Sequence, residues 1–147
     1  MATVKAVNYT KGDDPYGSNL MEANLQYGKV RYIYDKYEAA SLAGASVIKM
    51  ARLPKGAVVL PNSCIVHDAL GSGVTLAVGD NDDTDADDAD RYLEATSAAS
   101  AGVIQFNDDA TCIDKMPYKV QKDCDLTITT ANEATGTIEV HLLIAVE

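Results

Sequence analysis

Tryptophan is absent from this 147-residue chain, and Phe106 is its single phenylalanine. A carbohydrate- or receptor-binding module needs exposed aromatic platforms in its loops, and here the loops offer almost none. Cysteine is scarce too: Cys64, Cys112 and Cys124 are three in number, with no C-x-x-C spacing. That pattern argues against a disulfide framework and against a structural zinc site, and leaves reduced, buried thiols as the expectation. No apolar run approaches the roughly 20 residues that cross a bilayer, so no membrane partner is expected. The opening MATVKAVNYTKGDD lacks the apolar core of a secretory leader, and synthesis in a host cytoplasm as a soluble protein is the corresponding expectation.

Positive charge is thin and scattered. Twelve Lys and Arg stand against 22 Asp and Glu, and the basic residues occur without a patch. Phosphate neutralisation requires clustered cations, so nucleic acid is excluded as an expected partner. Catalytic signatures are missing as well: no G-x-S-x-G, no Walker A loop and no G-x-G-x-x-G after a strand. His67 and His141 each stand alone in strand-like segments. A cupin-like metal set with Glu139 would want two histidines on one strand as H-x-H, so both are read as core-edge or interface residues. No metal and no cofactor are expected from them, and the chain is not expected to be an enzyme.

What the chain does have is an acidic tract, GDNDDTDADDADRY at positions 79–92, with seven aspartates between Asp80 and Asp90. Seven aspartates and one arginine give it −6 of the total −10, leaving −4 for everything else. Asp83, Asp85, Asp87 and Glu94 stand at the carboxylate positions of an EF-hand loop. The glycine that loop requires is replaced by Asp88, however, and VTLAVGD before it reads as a strand. An EF-hand is therefore rejected. A looser calcium site on the same four residues stays open beside the favoured reading, a solvated loop that keeps the particle soluble.

Strand signals fill most of the remainder. KVRYIYDKY and SVIKMARL are aromatic and β-branched, and LPKG is a turn. AVVLPNSCIVHDAL reads as one long strand bent or bulged near Pro61, because proline cannot donate to a ladder. Val74, Leu76 and Val78 share a face, as do Leu126 and Ile128. RYLEATSAASAG has the propensity of a short helix or irregular crossover, while VIQFND and YKVQKD are short strand candidates. GTIEVHLLIAVE aligns Ile138, Val140, Leu142 and Ile144, and its apolar second face predicts a central strand covered on both sides. Seven to nine short strands with regular turns predict an all-β antiparallel sandwich or jelly roll over 29–147.

Residues 1–28 differ, mixing turn residues with isolated apolar positions and one strand candidate at 3–9. They read as an extended arm whose order must come from packing on something else. Six of the eight tyrosines lie in the first 37 residues. Tyr9, Tyr16 and Tyr27 of the arm are candidate interface residues, since tyrosine suits a surface that is apolar yet hydrogen-bonding. Tyr32 and Tyr34 are expected to pack on the chain's own sandwich.

The order VRYIYDKYEAASLAGASVIKMARLPKGAVVL, then LGSGVTLAVGD, then an Asp-rich loop closing in DRYLEATSAASAG, resembles the capsid decoration (cement) proteins and head-fibre-base proteins of tailed bacteriophages. The likeness spans about 29–147 and rests on strands and turns, most specifically IKMARLPKG and VGD…DADRYL, and GTIEVHLLIAVE fits the same pattern. It implies a structural virion protein on the outer surface of the capsid, binding the assembled major capsid protein as a homotrimer and stabilising the head. A tail, baseplate or head-fibre protein, or a carbohydrate- or receptor-binding sandwich, are the alternatives.

Overall fold

The computed structural model describes residues 28–82, 88–106 and 117–147. Among them are nine strands: β1 (Lys29–Leu42), β2 (Val47–Leu53), β3 (Val58–Val59), β4 (Cys64–His67), β5 (Thr75–Asp80), β6 (Asp88–Ser97), β7 (Gly102–Gln105), β8 (Cys124–Ala131) and β9 (Ala134–Val146). They form two antiparallel sheets, one ordered β1-β9-β4-β7 with β3 also on β9, the other β2-β8-β5-β6. With β3 taken as a prolongation of β4, these are the two four-stranded sheets of a jelly roll. The expected all-β sandwich is the observed fold.

Alternation builds the core. Leu76, Val78, Leu126, Ile128, Ile138, Val140, Leu142 and Ile144 are all 2% exposed or less and meet between the sheets. β9 is central, with β1 on one edge and β3 and β4 on the other. Its second face is less covered than expected: Glu139, His141 and Leu143 are half-buried, and only Ala145 is closed off. The apolar positions there meet cross-strand neighbours in their own sheet, which shields them partially.

The long strand expected across Pro61 is divided. Val59 pairs with Ile144 and Cys64 with His141, so residues 60–63 oppose only two residues of β9. Pro61 sits in a turn closed by the Ser63 N–H donating to the Leu60 carbonyl at 3.0 Å. The Ser63 hydroxyl then takes over the ladder, accepting from the Leu143 N–H at 2.9 Å. A side chain supplies what the extruded backbone cannot.

Two expectations are corrected. RYLEATSAASAG is not helical: β6 runs to Ser97, because pairing with β5 outweighs the helix preference of its alanines. YKVQKD is not a strand; it contributes one isolated bridge, Val58 to Lys119. The strand candidate at 3–9 and nearly all of the 1–28 arm lie outside the described residues.

β6 is irregular where it matters most. Its register against β5 shifts between Leu76 and Val78 and again between Val78 and Asp80. Strict alternation cannot bury three successive side chains, yet Arg91, Tyr92 and Leu93 are all buried, because bulges re-aim them.

Candidate functional site

Two features stand out, one polar and buried, the other aromatic and exposed. The first lies beneath the acidic tract. Arg91 is 6% exposed, and its Nε lies 2.9 Å from Asp80 Oδ2, whose side chain has no exposure. The approach is that of an ion pair and is poorly aligned for a hydrogen bond; Nη2 is buried without a hydrogen-bond partner among the described residues. The Tyr92 hydroxyl donates to the same Asp80 oxygen at 2.6 Å. Arg91 also stacks 3.8 Å over the Tyr118 ring, and the Tyr118 hydroxyl donates to Asp82 at 3.1 Å. Asp82 further accepts from the Gln121 N–H at 2.7 Å, tying β5 to the segment before β8.

Burial disfavours the charged form of Arg91, and the carboxylates of Asp80 and Asp88 outweigh that, so its pKa is raised. Burial, then Asp80, pushes the Tyr92 hydroxyl above its ordinary value. Burial and the bond to Asp82 push Tyr118 up to about 12, and burial followed by Asp80 and Asp82 takes Cys124 to about 12. A cation is thus already built into the base of the acidic tract as a guanidinium, which neutralises the aspartates facing the core. It ties the start of β6 to the end of β5.

These shifts set an alkaline limit. Folded Tyr92, Tyr118 and Cys124 hold their protons more tightly than the unfolded chain, whose values are near 10 and 9. Their contribution is complete below pH 9 and is lost as pH rises towards about 12. Urea midpoints measured from pH 8 to 11 are expected to be level at first and then fall steadily above pH 9–10. A midpoint flat to pH 11 would contradict the buried placement.

The second feature is the outward face of the β1-β9-β4-β7 sheet. Cross-strand register puts Tyr32 beside Leu143, Tyr34 beside His141 and Lys36 beside Glu139. Val66 and Val103 continue the same face through β4 and β7. Tyr32 is 59% exposed, Tyr34 48%, Val30 58% and Val103 60%. The Tyr32 hydroxyl and His141 Nδ1 are 2.7 Å apart, and the Tyr34 ring lies 5.2 Å from the imidazole, so the aromatic groups brace one another. Burial and Glu139 raise the Tyr34 pKa.

The expectation that Tyr32 and Tyr34 pack on the chain's own sandwich is therefore corrected. Their parity is opposite to that of half-buried Ile33 and buried Ala39, and β1 is an edge strand. Alternation in VRYIYDKY held that signal, since Ile33 competes with the tyrosines for the inner face. Tyr9, Tyr16 and Tyr27 lie outside the described residues, as do Asp83, Asp85 and Asp87 of the calcium set. Glu94 is half-buried in β6.

His67 and His141 do not converge. His67 is opposite Ile138 on the core face with Nδ1 2.8 Å from the Asp68 carbonyl, whereas His141 shares the outward face with Glu139. Among the described residues no group of three or more His, Cys, Asp or Glu is placed to hold a metal. Cys64 and Cys124 are free thiols; Cys124 is buried and Cys64 partly so, while Cys112 lies outside the described residues. Sequence reasoning missed the role of Arg91, the single base in an acidic run, whose isolation was the available signal.

The sandwich is shared with chains of phage capsids. It is similar to a chain in the cyanophage Pam1 capsid asymmetric unit, at 22% identity, covering 82% of this chain and 86% of that one with a TM-score of 0.60. A chain of the Ralstonia phage GP4 capsid matches at 18% identity, covering 82% and 86%, with a TM-score of 0.63. A chain in the acid-stable capsid of Helicobacter pylori bacteriophage KHP30 matches at 15% identity, covering 80% and 87%, with a TM-score of 0.53. The likeness is one of fold. No family model matches the sequence, and no curated protein does.

Proposed function

We propose that the chain is a structural, non-enzymatic virion protein of a tailed bacteriophage, one that decorates the assembled major capsid lattice and stabilises the head. The observation that carries this is the exposed aromatic face of Tyr32, Tyr34, Val30 and Val103, on a fold shared with chains of phage capsids. An exposed face that carries tyrosine and aliphatic side chains among polar ones suits a protein-binding surface, and tyrosine is enriched among the residues that dominate such surfaces. A net charge of −10 suits the outer side of a shell, away from packaged DNA. Binding the lattice and not its free subunits stabilises the assembled particle by mass action. The homotrimer implied by the resemblance belongs to the same reading, and the arm tyrosines Tyr9, Tyr16 and Tyr27 would add contacts to it.

The test is cosedimentation of purified protein with capsids that lack it. Wild type should saturate a fixed number of sites per capsid. The double variant Tyr32→Ser/Tyr34→Ser should bind at least 30-fold more weakly, the loss of about 2 kcal/mol expected at an interface hot spot. Its thermal melt should change little, because both side chains are largely exposed. Binding to tails or baseplates and not to capsids would overturn the capsid reading, and unchanged binding by the double variant would overturn the choice of face.

A further inference from the structure

His141 stands on the central strand β9 of the outward face, and each of its ring nitrogens has a neighbour. Nδ1 is 2.7 Å from the Tyr32 hydroxyl, and Nε2 is 3.7 Å from Glu139 Oε2. A carboxylate can only accept, so Glu139 favours the imidazole proton on Nε2. Nδ1 of the neutral ring is then a lone pair, and the Tyr32 hydroxyl donates to it. With that hydrogen turned inward, the exposed Tyr32 oxygen offers only lone pairs to anything that docks.

The other groups around the ring leave this polarity in place. Tyr34 faces it from β1 with ring centroids 5.2 Å apart, and Cys64 faces it from β4. Burial raises the Cys64 pKa, so that thiol stays neutral. Lys36 stands opposite Glu139 in register, but its ammonium lies 3.8 Å from Glu38.

We infer that this face receives a cationic side chain, an arginine or lysine of the partner, and that His141 must be neutral for it to bind. The inference rests on the decoration reading, in which that partner is the major capsid protein. Three properties of the patch select a cation. The Tyr32 oxygen presents lone pairs, Glu139 presents a partly exposed carboxylate, and the rings of Tyr32 and Tyr34 attract guanidinium and ammonium groups to their faces. A net charge of −10 adds a field of the same sign. Protonating His141 reverses the pattern. Nδ1–H then donates to the Tyr32 oxygen, the hydroxyl hydrogen turns outward, and donor meets donor beside a new positive charge. His141 is thus a positioning residue that sets the polarity Tyr32 shows to its partner.

Cosedimentation of the full chain with capsids that lack it, at about pH 8 and about pH 5.5, spans the range in which an imidazole gains its proton. Wild type should bind about 10-fold more weakly at the lower pH. His141→Asn keeps an acceptor where Nδ1 stands and cannot titrate, so it should bind like wild type at the higher pH and escape that loss. A loss shared by both proteins belongs to the capsid, and only the difference between them counts. Wild type that binds equally at both pH values, or that loses no more than His141→Asn, would overturn the inference and leave decoration standing. Tighter binding by wild type at the lower pH would overturn it in favour of an anionic partner. Failure to bind capsids at either pH removes the decoration reading, and the free chain then decides the polarity. Nitrogen-15 spectra of its neutral His141 ring should place the proton on Nε2; a proton on Nδ1 would overturn the inference by itself.

Discussion

Replacing Arg91 with alanine is expected to destabilise the protein by about 3–5 kcal/mol, the cost of leaving a buried charge without its partner. Asp80 is the charge in question: its side chain is wholly buried, and Arg91 Nε is 2.9 Å away. Two donors remain after the change, the Tyr92 hydroxyl at 2.6 Å and the Asp82 N–H at 3.2 Å. They satisfy lone pairs without cancelling the charge, so they soften the loss and do not remove it. The guanidinium also covers the Tyr118 ring, and alanine leaves a void there. For a chain of this size the melting temperature should fall by roughly 10 °C. The double variant Arg91→Ala/Asp80→Asn should lose less than the two single changes together, since no uncompensated charge then remains. A single-variant loss under about 1 kcal/mol would show that the remaining donors suffice.

Gly79→Val is expected to be at least as damaging, at about 3 kcal/mol or more. A Cβ at Gly79 would overlap the Asp88 carbonyl oxygen and the Ala89 backbone, and backbone cannot swing aside as a side-chain tip can. What has to move is the bulged start of β6, the same segment that aims Arg91 and Tyr92 inward. The variant should therefore also lose the Tyr92–Asp80 bond, and with it part of the fall in stability above pH 9–10 that the raised Tyr92 pKa produces. Gly102→Ala is the control: its Cβ would meet nothing nearer than the Ser100 oxygen at 4.0 Å, and the cost should stay within about 1 kcal/mol. If Gly79→Val melted like wild type, the close approach of β6 to β5 would be wrong. Because both positions serve one cluster, combining them should cost less than the sum.

Much of the architecture was legible along the chain. Period-two alternation in VTLAV, LTI and TIEVHLLI is a local property, and it assigned the core residues that the sandwich buries. Pro61 announced an interruption because a missing N–H is covalent fact, although the repair by the Ser63 hydroxyl depends on β9 alongside. RYLEATSAASAG misled for the opposite reason: alanine prefers a helix, and the unpaired edge of β5 overrode that preference. The strand VTLAVGD expected before the acidic tract is present as β5, yet Arg91 within the tract looked like one base lost among acids.

By itself, then, the sequence determined the class of fold, the inward faces of its strands and the absence of any familiar catalytic motif. These follow from side-chain pattern and from what proline and glycine permit, and need no knowledge of neighbours. Only the tertiary structure decided which strand became an edge, and hence that Tyr32 and Tyr34 face outward beside His141 while His67 turns into the core. It alone brought Asp80, Arg91, Tyr118 and Asp82 together across 38 residues of chain. Such contacts are set by sheet order and register, which join segments far apart in the chain and leave no local trace in either one.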